Sequence, residues 1–131
     1  MKKITFVICV LVFGLLAVQG AAAQTKTRVK FPAGTHGTTV KGTVRGYDYR
    51  DYVVGASKGQ TIELGLTATG SNSVFSVFLP NKENLDLGAE QNDFTGELPV
   101  SGDYVIRVGM MRSAARRKGS VSNFTLKISI R

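Results

Sequence analysis

The chain has 131 residues with 17 Lys or Arg against 9 Asp or Glu, a formal charge of +8, and it carries one His and one Cys. That inventory excludes a disulfide framework and leaves too few ligands for a zinc site of the thiolate–imidazole kind. The basic surplus points to anionic partners, whether protein carboxylates, lipopolysaccharide, anionic glycan or nucleic acid.

In chain order, the first element is a leader. Met1-Lys2-Lys3 is followed by an uncharged apolar run, Phe6 to Val18, and by Ala21-Ala22-Ala23. Charge, short apolar run and small residues are the three parts of a secretory signal peptide. The run is shorter than the roughly 20 residues of a membrane span. Cys9 lies inside the leader and lacks a lipoprotein box before it. The expected product of cleavage is a soluble exported domain, Gln24–Arg131, of 108 residues. Without Lys2, Lys3 and Cys9 it has fifteen basic residues, a charge of +6 and no cysteine. Cysteine nucleophiles, thiolate metal sites and redox chemistry are therefore excluded from it.

Gln24–Lys26 reads as a loose start. Beyond it, alternation with period two predicts strands. Three are strong: Ile62, Leu64 and Leu66 in the first, Tyr104, Ile106, Val108 and Met110 in the second, Phe124, Leu126, Ile128 and Ile130 in the third. Weaker strands are expected at Thr27–Phe31, Thr39–Arg45, Asp51–Ala56, Val74–Leu79 and Phe94–Leu98. Glycine-containing turns at Ala33-Gly34, Lys58-Gly59, Gly70-Ser71-Asn72, Ser101-Gly102 and Lys118-Gly119-Ser120 separate them. The expected fold is an all-β antiparallel sandwich or small barrel of about eight strands. A short helix over 111–118, built on Ser113-Ala114-Ala115-Arg116-Arg117, interrupts it.

An enzyme is not expected. His36 sits in a turn, Gly34-Thr35-His36-Gly37, with no partner for a triad. No carboxylate pair lies on an evident rigid frame, as glycosidase chemistry would need. The acidic stretch Asp86 to Asp93 does not follow a calcium-loop spacing, and Asn123-Phe124-Thr125 is a sequon of the kind that arises by chance in strands. Neither a cofactor nor a metal is expected.

A binding surface remains, and three clusters could form it. Gly46-Tyr47-Asp48-Tyr49-Arg50-Asp51-Tyr52 places three tyrosines within six residues. Tyrosine anchors interfaces with a large, stiff, amphipathic ring. Tyr52 shares the register of Val54 and is expected in the core. Ser101-Gly102-Asp103-Tyr104 is a turn that would present the Ser101 hydroxyl at its tip. In Met111-Arg112-Ser113-Ala114-Ala115-Arg116-Arg117-Lys118, two helical turns would put Arg112 and Arg116 on one face as a carboxylate clamp. Ala114 and Ala115 would keep the surroundings low.

Together these segments resemble the bacterial periplasmic inhibitors of g-type and i-type lysozymes. The resemblance is carried by Gly46-Tyr47-Asp48-Tyr49, Gly59-Gln60, Ser101-Gly102-Asp103-Tyr104-Val105-Ile106-Arg107-Val108, Met111-Arg112 and Ala115-Arg116. It implies a β-sandwich that plugs the lysozyme cleft with a protruding loop, in the periplasm, without chemistry of its own. It also implies that Ser101, Tyr104, Arg112 and Arg116 belong to the inhibitory face, with Tyr47 a further candidate and Ser101 donating from a loop beside the arginines. The alternation of Tyr104 with Ile106 and Val108 points its ring inward. The Gly-Tyr-Asp-Tyr segment is similar to the g-type inhibitors, which makes g-type lysozyme the favoured partner over i-type. Ser113-Ala114-Ala115 departs from the polar residues common between the arginines of that branch. A non-inhibitory envelope sandwich that binds anionic glycan or lipopolysaccharide is the reading from another class.

Overall fold

The computed structural model describes residues 24–70, 73–81 and 91–131. The expected leader, Ser71-Asn72 and the Asp86 side of the acidic stretch lie outside the described residues. Among the described residues eight strands are present: β1 Gln24–Arg28, β2 Gly37–Arg45, β3 Tyr49–Ala56, β4 Thr61–Gly70, β5 Ser73–Phe78, β6 Asp93–Glu97, β7 Gly102–Met110 and β8 Val121–Ile130. One short helix, α1 (Arg112–Ala115), joins β7 to β8. The strands form two four-stranded sheets in the orders β1-β3-β7-β5 and β2-β8-β4-β6.

The two sheets face each other across the apolar sides of their strands. Tyr104, Ile106 and Val108 from β7 meet Phe124, Leu126 and Ile128 from β8, with Ile62, Leu64 and Leu66 from β4 beside them. All eight expected strands occur, and in β4, β7 and β8 the alternation gives each one dry face. Gly42 makes room in the layer. A Cβ there would lie 2.6 Å from the Phe124 ring and 3.0 Å from the Tyr52 hydroxyl, and Tyr52 and Phe124 pack edge to face at 6.2 Å. Tyr52 is buried as its register implies.

Two boundaries differ from the expectation. β1 takes in Gln24–Lys26 and ends at Arg28, whereas alternation placed the strand over Thr27–Phe31 with a loose start. β1 is an edge strand held by parallel pairing to β3, Gln24 opposite Tyr49 and Arg28 opposite Val53. Its stability comes from that ladder, and the Val29–Phe31 pair that marked the strand lies just past its end. Helix α1 is one turn, not two. Gly119 turns the chain at φ 74, and Ser120 reaches back with its hydroxyl to the Ala115 carbonyl at 3.2 Å.

Candidate interaction site

The strand directions give the sandwich two distinct ends. At one lie the β2–β3 turn (46–48) and the segment 111–120. At the other lie the turns around Ser57–Gln60 and Leu98–Ser101. β7 spans the distance between them, ~26 Å at about 3.3 Å per residue.

At the first end, Gly46 enters the turn at φ 55, a left-handed conformation that glycine adopts without strain. The Asp48 amide closes the turn on the Arg45 carbonyl at 3.0 Å, and the Gly46 amide donates to the Ser120 carbonyl at 3.1 Å. The Tyr47 turn and the α1 segment are thereby tied to each other. Tyr47 stands out at 66% exposure. In α1 the Arg116 amide donates to the Arg112 carbonyl at 3.1 Å, so the two arginines lie one turn apart on one side. Both are exposed, as are Arg117 and Lys118. The alanines do something other than keep the surroundings low. Ala115 is buried and Ala114 packs against the core, so they anchor the turn whose other side presents the arginines. Between sheets, the buried Ser73 hydroxyl donates to the Ser122 hydroxyl at 2.5 Å and closes this end.

Tyr47 and Arg112 line one shallow cavity of about 260 Å³, together with Tyr49, Arg107 and Gly109. It opens on the outer face of the β1-β3-β7-β5 sheet. Arg107 is fixed there by a two-pronged bond to Asp51, at 2.8 and 3.0 Å. Its guanidinium lies 4.0 Å from the Tyr49 ring centre and 5.0 Å from that of Phe78, a stacked arrangement favourable to arginine. The hydrogen bond to Asp51 raises the Arg107 pKa above its ordinary value. No motif in the sequence marks this pair. Asp51 and Arg107 are 56 positions apart, and only the β3–β7 register sets them opposite each other.

Ser101 and Tyr104 sit at the other end. The Ser101 hydroxyl accepts the Lys58 amide at 2.8 Å, and the neighbouring Gln60 side chain accepts the Ser57 amide at 2.7 Å. The loop beside Ser101 is thus the β3–β4 turn, not the arginine segment. Tyr104 is fully buried. Its hydroxyl donates to the Val100 carbonyl at 2.6 Å and accepts the Val100 amide at 3.2 Å, much as the tyrosine corner of other sandwiches secures a strand entry. The structure therefore brings Tyr47, Arg112 and Arg116 together and places Ser101 and Tyr104 apart from them.

Among the described residues, no three His, Cys, Asp or Glu are grouped to hold a metal ion, and no helix is long and apolar enough to cross a membrane. No family model matches the chain. The inhibitor of g-type lysozyme from Escherichia coli K12 is 30% identical over 125 residues, covering 93% of each chain. This chain belongs to that family of lysozyme inhibitors. The crystal structure of the Aeromonas hydrophila periplasmic inhibitor of g-type lysozyme matches with a TM-score of 0.74 and 33% identity, over 82% of this chain and 97% of that one. The Salmonella Typhimurium counterpart, at 24% identity and a TM-score of 0.62 over 82% of this chain and 98% of its own, shares the fold. Family membership and the two-sheet architecture agree with the resemblance carried by the sequence motifs.

Proposed function

We infer that this chain is a proteinaceous inhibitor of g-type lysozyme, acting in the periplasm after removal of residues 1–23 as a leader. The observation that carries the reading is the 30% identity to a g-type lysozyme inhibitor over nearly the whole chain. The inhibitor has no chemistry to perform. It occupies the cleft and satisfies the carboxylates that the enzyme turns toward its sugar substrate.

The end bearing Tyr47, Arg112 and Arg116 makes the contact. Tyr47 supplies exposed ring area on a turn held at both sides. Arg112 and Arg116 supply two planar donor forks on one side of an anchored helical turn. Ser101 and Tyr104 brace the far end and support the sandwich without touching the enzyme.

The test is a cell-wall lysis assay with Gln24–Arg131 added to g-type, i-type and c-type lysozymes in parallel. Near-stoichiometric inhibition of the g-type enzyme alone is expected. Inhibition of the i-type enzyme instead would reassign the partner. Failure against all three would leave the arginine end as a binder of anionic glycan.

A further inference from the structure

We propose that the arginine end of the sandwich also docks on the phosphate-bearing surface of a lipid bilayer. This goes beyond inhibition and does not depend on which lysozyme is bound. Five of the fifteen basic residues of 24–131 lie at that end. Arg45 stands where β2 runs out, and Arg112, Arg116, Arg117 and Lys118 follow β7. All five are exposed, and none has an ionic partner among the described residues. The acid beside them is Asp48, one negative charge against five positive ones. The carboxylate clamp uses Arg112 and Arg116. Arg45, Arg117 and Lys118 have no task in it.

Charge alone would suit any polyanion, and the apolar residues among the cations select a bilayer. The large hydrophobic side chains that stand exposed among the described residues are Tyr47, Met111 and Val100. The first two are at the arginine end. Tyr47 is 66% exposed on its turn, and Met111, 36% exposed, directly precedes the basic segment. A tyrosine ring settles at the headgroup level of a membrane. Lysine and arginine near an anionic lipid surface each add attraction that falls off within a screening length. A methionine gains nothing from a soluble polyanion, but it can enter the boundary between headgroups and acyl chains. Gln24 lies at this end too, opposite Tyr49, so the proposed leader joins the domain on the side where the bilayer would lie. Enzyme and bilayer both call on Tyr47 and Arg112, so the two contacts exclude each other.

The test is co-sedimentation of the protein recovered from the periplasm with lipid vesicles. Vesicles of phosphatidylglycerol mixed with phosphatidylcholine should carry it down, and added salt should release it. Phosphatidylcholine alone should not. Equal binding to both, or binding to neither, overturns the proposal. The double variant Arg117→Gln, Lys118→Gln should bind the anionic vesicles about 25-fold more weakly, since each charge near such a surface is worth about fivefold. It should inhibit a g-type lysozyme in solution as the parent does. Lost inhibition with vesicle binding intact would assign both residues to the enzyme and overturn the membrane contact. Met111→Ser separates a bilayer from a soluble polyanion. Met111 is the N-cap of α1 and makes no side-chain bond there. Serine is a favoured cap, so the variant should unfold at a midpoint no lower than the parent. It should lose several-fold in vesicle binding and keep its retention on immobilised polyphosphate. Vesicle binding untouched by Met111→Ser would reduce the arginine end to a binder of polyanions, against the proposal.

Discussion

Arg112 and Tyr104 show how differently two motif residues can serve one fold. Arg112 is exposed, unpaired among the described residues, and carried on a turn whose other side is buried. Truncating one partner of a desolvated Arg–carboxylate pair costs about 2–5 kcal/mol. Arg112→Ala should accordingly weaken inhibition by at least about tenfold while leaving the unfolding midpoint unchanged. Unaltered inhibition would remove the clamp. Tyr104 works through its hydroxyl on both backbone groups of Val100. Tyr104→Phe should cost about 1 kcal/mol of stability, read by denaturant unfolding, and leave inhibition as it was. A loss of inhibition without a loss of stability would return Tyr104 to the contact surface.

At the scale of elements, ion pairs of Arg107 with Asp51 and Arg28 with Asp103 cross the outer face of the β1-β3-β7-β5 sheet. The Arg28 guanidinium, hydrogen-bonded at 2.6 Å, holds the Asp103 carboxyl below its ordinary 3.8. A carboxyl whose folded pKa is depressed stabilises above the unfolded value, and that contribution is lost as pH falls through the folded one. Asp103→Asn should therefore lower stability at neutral pH and flatten the acid slope below about pH 4. Unfolding midpoints measured from neutral to strongly acidic pH check this, and parallel curves for the two proteins would show the pair to be inert. The β1–β7 link is also where sequence legibility stops. β4, β7 and β8 were readable because each pairs a long apolar face with a polar one. β1 was displaced because an edge strand needs only a ladder, and Thr25-Lys26-Thr27 carries no burial pattern. The helix was overextended because Arg116-Arg117-Lys118 favour helix locally, whereas Gly119 and the Ser120 hydroxyl end it. Tyr47, Arg112 and Arg116 could be named from their motifs. Their separation from Ser101 and Tyr104 could not, since it depends on which end of β7 each segment adjoins.

The sandwich has two distinct ends, one marked by cations and an exposed tyrosine and the other by bracing turns. Because β1 runs parallel to β3, Gln24 sits opposite Tyr49, at the arginine end. Arg131 exchanges backbone hydrogen bonds with Thr61, at 2.8 and 3.0 Å, at the other. Gln24 and Arg131 therefore lie at opposite ends relative to the proposed contact surface. A carrier protein fused ahead of Gln24 should crowd that surface and weaken lysozyme inhibition, whereas the same carrier fused after Arg131 should not, and side-by-side titrations of the two fusions measure it. Under the proposed removal of residues 1–23, the cut at Gln24 falls beside the proposed contact end, so cleavage would act as an unmasking step as well as a release.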